Sequence, residues 1–329
     1  MQLLRREFIC ERSAPSCHAS TLALTEHGVV AAWFDGTWEG EDDVRILCSR
    51  RENGSWTKPV LVSDDDPIPH WNPVLFHNGS ELLLFYKYGK TIAHWQTLIR
   101  RSSDGGVTWS APERLCKEDD GGRGPVKNKP IRLTNGYILA PASIEQGKWR
   151  CFTDLSRDNG LTWEKSGLIE LPDEALCAAG QSQWNVSDDT KADQSAGIIQ
   201  PSLWEDNAGV HMLMRSNTGY ICRSDSPDGV HWCAAYPTPM PNNNSGLDLV
   251  RASDGRIFLC CNPNAKNWGE RTPLTLFVSE NDGVSFTRVL DLETEPGEYS
   301  YPSVIEQSGI LYGTYTWRRT RIAYFEVKI

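Results

Sequence analysis

RSSDGGVTWS, residues 101–110, packs an aspartate, two glycines, a threonine and a tryptophan between segments rich in apolar and β-branched residues. The stretch returns along the chain. LSRDNGLTW sets Ser156, Asp158, Gly160, Thr162 and Trp163 in the pattern of Ser102, Asp104, Gly106, Thr108 and Trp109. SDSPDGVHW is a copy one residue shorter, ending at Trp232. VSENDGVSF carries Asn281 for the aspartate and Phe286 for the tryptophan, and SRRENGSW, ending at Trp56, is weaker still. The closing aromatics are spaced by 53, 54, 69 and 54 residues. A period near 54 is long for a helical solenoid unit and suits a four-stranded propeller blade with its loops.

The flanking segments agree. GYILAPASI, VHMLMRS, RIFLCC and ILYGTYTW are short and strand-like, bounded by Gly, Asn and Asp. The chain divides into about six such periods, which predicts an all-β, six-bladed propeller spanning residues 1–329 as one domain. Its last blade should be closed by the N- and C-terminal segments together. The wide gap of 69 holds a polar insertion around 170–195, expected as a loop over one face. Within each copy, the aspartate is suited to accept backbone N–H groups in a tight turn, while glycine supplies a positive φ and the aromatic seals the turn. A device present once per blade is scaffold, so Asp104 and Asp158 are not expected to do chemistry.

Composition narrows the function. The 329 residues are 39% hydrophobic with a net charge of −10, which argues against nucleic-acid or anionic-membrane partners. No run approaches the roughly 18 apolar residues of a membrane span, and MQLLRREFICERSAP lacks the apolar core of a signal peptide, so the expected location is cytoplasmic. The ten cysteines form no C-x-x-C pair and read as reduced, mostly buried thiols. Neither a dinucleotide-binding G-x-G-x-x-G nor metal-spaced His/Cys clusters occur, so no cofactor is expected.

S-x-D-x-G-x-T-W is the Asp-box or BNR repeat, and several copies at this spacing resemble the sialidase (neuraminidase) superfamily. The resemblance implies a central active site on the face opposite the boxes. It also implies three arginines gripping a substrate carboxylate, an Asp acid/base, and a Tyr nucleophile activated by a Glu. Carried over position by position, HMLMRSNTG implies Arg215 and RTPLTLFVSENDG implies Arg271. EYSYPSV implies Tyr301, with Tyr299 as rival, and WEGEDDVRIL implies Asp43, with Asp42 beside it. Two positions depart from the family pattern: His18, in PSCHASTLAL, stands where the first arginine would be, and Gln200, in IIQPSLWED, replaces the activating glutamate.

Each of these residues has a plainer reading: His18 as a core histidine, Arg215 and Arg271 as surface arginines, Tyr301 as a packed strand aromatic, Asp43 as one charge of a solvated loop. His70 and Trp71 in PHWNP, and Arg123, Lys127 and Lys129 in GGRGPVKNKP, lie in loops bounded by Pro and Gly and expected at the propeller mouth as substrate contacts. Lys127 or Arg123 could supply the missing third positive charge. The resemblance leads to a sialidase-like exo-glycosidase acting on an acidic oligosaccharide. A uronate lyase using a His18/Tyr301 pair, of the kind found in propeller enzymes acting on rhamnose–glucuronate linkages or ulvan, fits Gln200 better. A non-catalytic glycan-binding propeller is the third possibility.

Overall fold

The computed structural model describes residues 1–12, 14–119, 122–178 and 195–329. Most of the predicted 170–195 insertion therefore lies outside the described residues. Those described form six antiparallel sheets, the blades of a β-propeller. Blade 1 starts at the inner strand Ser16–Thr25, blade 2 at His70–His77, blade 3 at Ile131–Arg132, blade 4 at Ile198–Asp206, blade 5 at Asp248–Arg251 and blade 6 at Tyr299–Gln307. Inner strands of neighbouring blades pack on one another around the axis. In blade 6 the N-terminal strand Gln2–Phe8 pairs antiparallel with the C-terminal strand Arg321–Lys328, closing the ring as the termini predicted.

The strands form because each blade is sandwiched between two others. Buried runs such as Leu82–Tyr86 and Ile257–Cys261 are apolar on both faces, where β-branched and aromatic residues pack well. Among the described residues most of the cysteines are buried.

The boxes follow the third strand of their blades. Asp104 accepts hydrogen bonds from the Val107 and Thr108 N–H groups at 3.0 and 2.9 Å and from the Ser102 hydroxyl at 2.8 Å. Asp158 repeats the arrangement with Ser156, Leu161 and Thr162. Each turn is also gripped by the preceding blade, Arg50 donating to Gly106 O, Arg101 to Gly160 O and Arg223 to Asp282 O. The boxes are thus both turn staples and ties between blades. Burial alone would raise the Asp158 pKa, but hydrogen bonds from Thr162, Ser156 and Leu161 outweigh it and hold the carboxyl at about 2, against 3.8 unperturbed. A depressed carboxylate stabilises fully above its unfolded pKa and loses that contribution as the pH falls through its folded one. Asp158→Ala should therefore cost roughly 1 kcal/mol near neutrality, by analogy with a lost helix cap. The gap to wild type in urea melts should close below about pH 2.

One irregularity repeats at the axis. Near the start of four inner strands the register slips, at His18/Thr21, Trp71/Val74, Ile199/Ser202 and Ser300/Ser303. Each slip contains a non-glycine residue with positive φ: Ala19 (54°), Asn72 (41°), Gln200 (55°) and Tyr301 (53°). In three of them proline follows, and its missing N–H is tolerated at a bulge. Left-handed backbone at a Gln and a Tyr is strained and persists only where the surroundings hold it. The bulges aim these side chains at one place.

Candidate active site

The first and third strands of a blade run the same way, so the starts of the inner strands and the boxes lie at opposite ends of the propeller. His18, His70, Gln200 and Tyr301 all stand at the starts. Arg215 ends the second strand of blade 4, Gly209–Ser216. Arg271 follows the second strand of blade 5, Ile257–Cys261, and Arg319 lies in the turn after Ile310–Trp317 of blade 6. Second strands run back, so these arginines arrive at the same end.

There the structure brings together Tyr301, Arg215, Gln200 and His18. The Tyr301 hydroxyl accepts a hydrogen bond from Arg215 Nη1 at 3.1 Å and one from Gln200 Nε2 at 3.2 Å. Both partners are donors, so the phenolic hydrogen points elsewhere. Arg215, almost fully buried, also donates from Nη1 to Gln200 Oε1 at 3.2 Å and from Nε to Asn244 Oδ1 at 2.9 Å. Its guanidinium lies between the Trp149 and Trp268 rings, 6.0 and 5.6 Å from their centroids. The close approach of Tyr301 to blade 5 depends on Gly246, where a Cβ would sit 3.1 Å from the Tyr301 ring.

His18 lies with its ring centroid 4.1 Å from that of Tyr301. Its Nδ1 is 2.9 Å from the Thr316 hydroxyl, and its buried Nε2 has no hydrogen-bond partner among the described residues. Burial, then the charges of Arg319, Arg271, Arg215 and Lys127, push its pKa well below 6.5, so the imidazole is neutral. A histidine depressed in the folded state takes up a proton on unfolding, so stability should fall as the pH drops below about 6.5. His18→Gln should flatten that slope in thermal melts recorded as a function of pH.

Arg271 and Arg319 line a pocket of about 370 Å³ with Glu298. Glu298 Oε1 accepts from Arg271 Nη1 at 2.8 Å and from Arg319 Nε at 2.9 Å. Burial would raise the Glu298 pKa, but the two guanidinium groups outweigh it and hold the carboxylate low. Arg319 also donates to Glu39, tying the 37–44 loop to blade 6. A larger cleft, about 400 Å³, opens beside Tyr299, Trp317 and Phe8 on the outer side of blade 6. It contains none of the groups around Tyr301.

Several expected contacts are placed differently. Lys127 is buried, and its three ammonium hydrogens go to Asn128 Oδ1, Leu247 O and Pro302 O. Burial, with Lys129 and Arg215 adding to it against the pull of Asp248, brings its pKa down to about 7. It is a strut beneath Tyr301, not a substrate contact. Asn128 donates to Gln200 O and Pro201 O, and Lys129 pairs with buried Asp248 at 2.8 Å, so this short segment straps blades 4, 5 and 6 from within. Arg123 is spent on Asp154 and Trp163 O inside blade 3. The third guanidinium at this end of the ring belongs to Arg319, which shares Glu298 with Arg271.

Tyr299 turns away, its hydroxyl accepting from Arg318. Strand alternation would put residues 299 and 301 on one face, and the bulge at 301 separates them. Asp43 is exposed and accepts from the Thr37 N–H and hydroxyl, pinning its own loop, while Asp42 lies 3.8 Å from Lys90. The carboxylate of that loop wired to the arginines is Glu39. His70, at 3.3 Å from Val44 O, and Trp71, packed on Gly40, support the same loop from blade 2.

Sequence reasoning missed Arg319, Glu298, Glu39, Glu145 and Asp248. One signal was available: the recurring Asn-Pro, Gln-Pro-Ser and Tyr-Pro-Ser of WNPV, IIQPSL and YSYPSV marks the bulges that point inward.

No curated protein with which the chain was compared matches it. Among solved structures it superposes on a protein of unknown function from Dyadobacter fermentans DSM 18053, with TM-score 0.77, 15% identity, and 100% of this chain and 99% of that one covered. The Hadza microbial sialidase Hz136 gives TM-score 0.77, 14% identity, and 98% and 68% coverage. Trypanosoma rangeli sialidase, in a complex with 2,3-difluorosialic acid described as a covalent intermediate, gives TM-score 0.71, 16% identity, and 96% and 55% coverage. The chain thus spans about half of that trypanosomal protein, and identities this low establish likeness of fold. The BNR repeat-like domain family matches residues 28–314, and the chain belongs to that family, with a sialidase-type propeller.

Proposed function

We propose that this protein is a glycan-processing enzyme, a sialidase-like exo-glycosidase that removes a terminal carboxylate-bearing sugar with Tyr301 as nucleophile. The observation that carries the reading is the Tyr301 hydroxyl, held by two donors, Arg215 and Gln200, with Arg271 over its ring and Arg319 joined to Arg271 through Glu298. At an anomeric carbon bearing a carboxylate, an anionic nucleophile is repelled and a phenol is not. Arg215, Arg271 and Arg319 receive the acid. Among the described residues Arg271 is engaged through Nη1 alone, which leaves its other N–H groups for a ligand in the pocket it lines. Tyr301 gives its proton to the neutral His18 as the C–O bond to the sugar forms and the leaving oxygen departs, and donors aimed at Oη stabilise the charge that develops there. Lys127 and Arg271, 5.9 and 5.8 Å from the ring centroid, add to the same field and offset the absence of a glutamate at position 200. Asp43, on the acidic 37–44 loop that Glu39 ties to Arg319, is the group assigned to protonate the leaving oxygen, which requires it to leave Thr37.

The neutral His18 favours a second reading, a uronate lyase. With the carboxylate neutralised by arginine, His18 Nε2 takes the C5 proton, the C4–O bond breaks, and Tyr301 gives its proton to the leaving oxygen. The product is a 4,5-unsaturated uronate. One experiment separates the two. The protein is incubated with sialoside and rhamnosyl-glucuronate panels and, in parallel, with 2,3-difluorosialic acid. Released acidic sugar and a mass adduct on Tyr301, absent from Tyr301→Phe, are expected. Ultraviolet absorbance of an unsaturated uronate without an adduct would replace the hydrolase by the lyase, and neither product would leave a glycan-binding propeller.

A further inference from the structure

Glu145, at the end of the blade 3 strand Ile138–Ile144, is a carboxylate that neither mechanism above uses. Its Oε1 lies 3.4 Å from Gln200 Nε2, the same nitrogen that donates to Tyr301. The two ends of the Gln200 amide face groups of opposite demand. Arg215 only donates, so it requires Oε1, and an ionised carboxylate only accepts, so it requires Nε2. The reverse amide orientation would set donor against donor at Arg215 and acceptor against acceptor at Glu145. Ser143 closes the arrangement, donating its hydroxyl to Glu145 Oε1 at 3.2 Å and accepting the Gln200 backbone N–H at 3.2 Å. The strained φ of Gln200 is held at that point.

We infer that Glu145 is a positioning residue for Tyr301, locking the Gln200 amide so that it donates to the phenolic oxygen and leaves the phenolic hydrogen facing the ligand. The inference rests on the reading of Tyr301 as the reacting group. In effect a carboxylate still serves the tyrosine, but from a neighbouring blade and through one amide. It fixes which partner donates instead of taking the proton itself. When Glu145 gains a proton it no longer demands Nε2, and the lock opens. The groups facing it are Arg215 from blade 4, Lys87 from blade 2, the Cys151 thiol from the adjacent strand, and Gln200 and Ser143. Burial raises its pKa above the usual carboxylate value, against the pull of Arg215 and the hydrogen bonds, so the opening falls at milder acidity than for an exposed glutamate.

The test needs no substrate. In protein labelled with carbon-13 at tyrosine Cζ, the Tyr301 resonance is identified as the one lost in Tyr301→Phe, and the Gln200 side-chain amide as the one lost in Gln200→Met. Both are expected to shift together in a single step on acidification. In Glu145→Gln that shared step should vanish, and the exchanged variant Glu145→Gln/Gln200→Glu should restore a step at Tyr301. Two outcomes would overturn the inference: no step in the wild type, or a step unchanged in Glu145→Gln. The wild-type titration decides even if a variant folds poorly. A failed glycan panel leaves these spectra unaffected, so loss of the enzymatic reading and loss of the lock are distinguishable.

Discussion

Tyr301→Phe should lower turnover of any acidic glycan the wild type cleaves by about 10²–10⁴-fold while leaving the melting temperature nearly unchanged. The two halves of that result come from different contacts. The substitution removes only Oη, the group that attacks or protonates the substrate in the proposed reactions. One N–H of Arg215 and one of Gln200 lose Oη, but Arg215 keeps Gln200 Oε1 and Asn244 and Gln200 keeps Glu145, so each donor group retains a partner and the cost stays small. The ring continues to fill the space beside His18 and Gly246. Single-turnover rates on the glycan panel, with calorimetry on the same preparations, measure both. Retained activity would remove Tyr301 from the chemistry in either reaction scheme.

Asp248→Ala should do the reverse, with its main effect on folding. Asp248 is fully buried and accepts from the Ser202 hydroxyl at 2.6 Å, the Val304 N–H at 2.8 Å and Lys129 Nζ at 2.8 Å. Those donors come from blade 4, blade 6 and the segment ahead of blade 3, so one carboxylate joins three parts of the ring. Removing it strands a mostly buried ammonium and two buried donors, a change expected to cost about 3–5 kcal/mol. Against a typical total of about 5–15 kcal/mol, that is a large share. Urea unfolding gives the number, and a loss below about 1 kcal/mol would mean that the network relaxes to solvent.

Much of the fold was legible because the repeated element is local. A box folds from contacts within about seven residues, and its period counts the blades. The central site is assembled the other way, from residues far apart in sequence whose side-chain directions depend on bulges. Alternation alone cannot separate Tyr299 from Tyr301. Arg215 and Arg271 could be placed because they precede recognisable boxes, whereas Arg319 lies in the last turn of the chain, where no box follows. Glu145 gave no signal at all, since its role exists only relative to Gln200 across a blade boundary. Lys127 and Arg123 misled because charge in a Pro/Gly loop reads as solvated, and here both are consumed by buried carbonyl and carboxylate partners.

The strap at residues 127–129 has a consequence for stiffness. Its bonds to Leu247 O, Pro302 O, Gln200 O and Pro201 O join blades 5, 6 and 4 beside Tyr301. Three consecutive side chains thus hold three blades in register from the inside, so loosening the strap would loosen the scaffold under Tyr301 before any outer strand gives way.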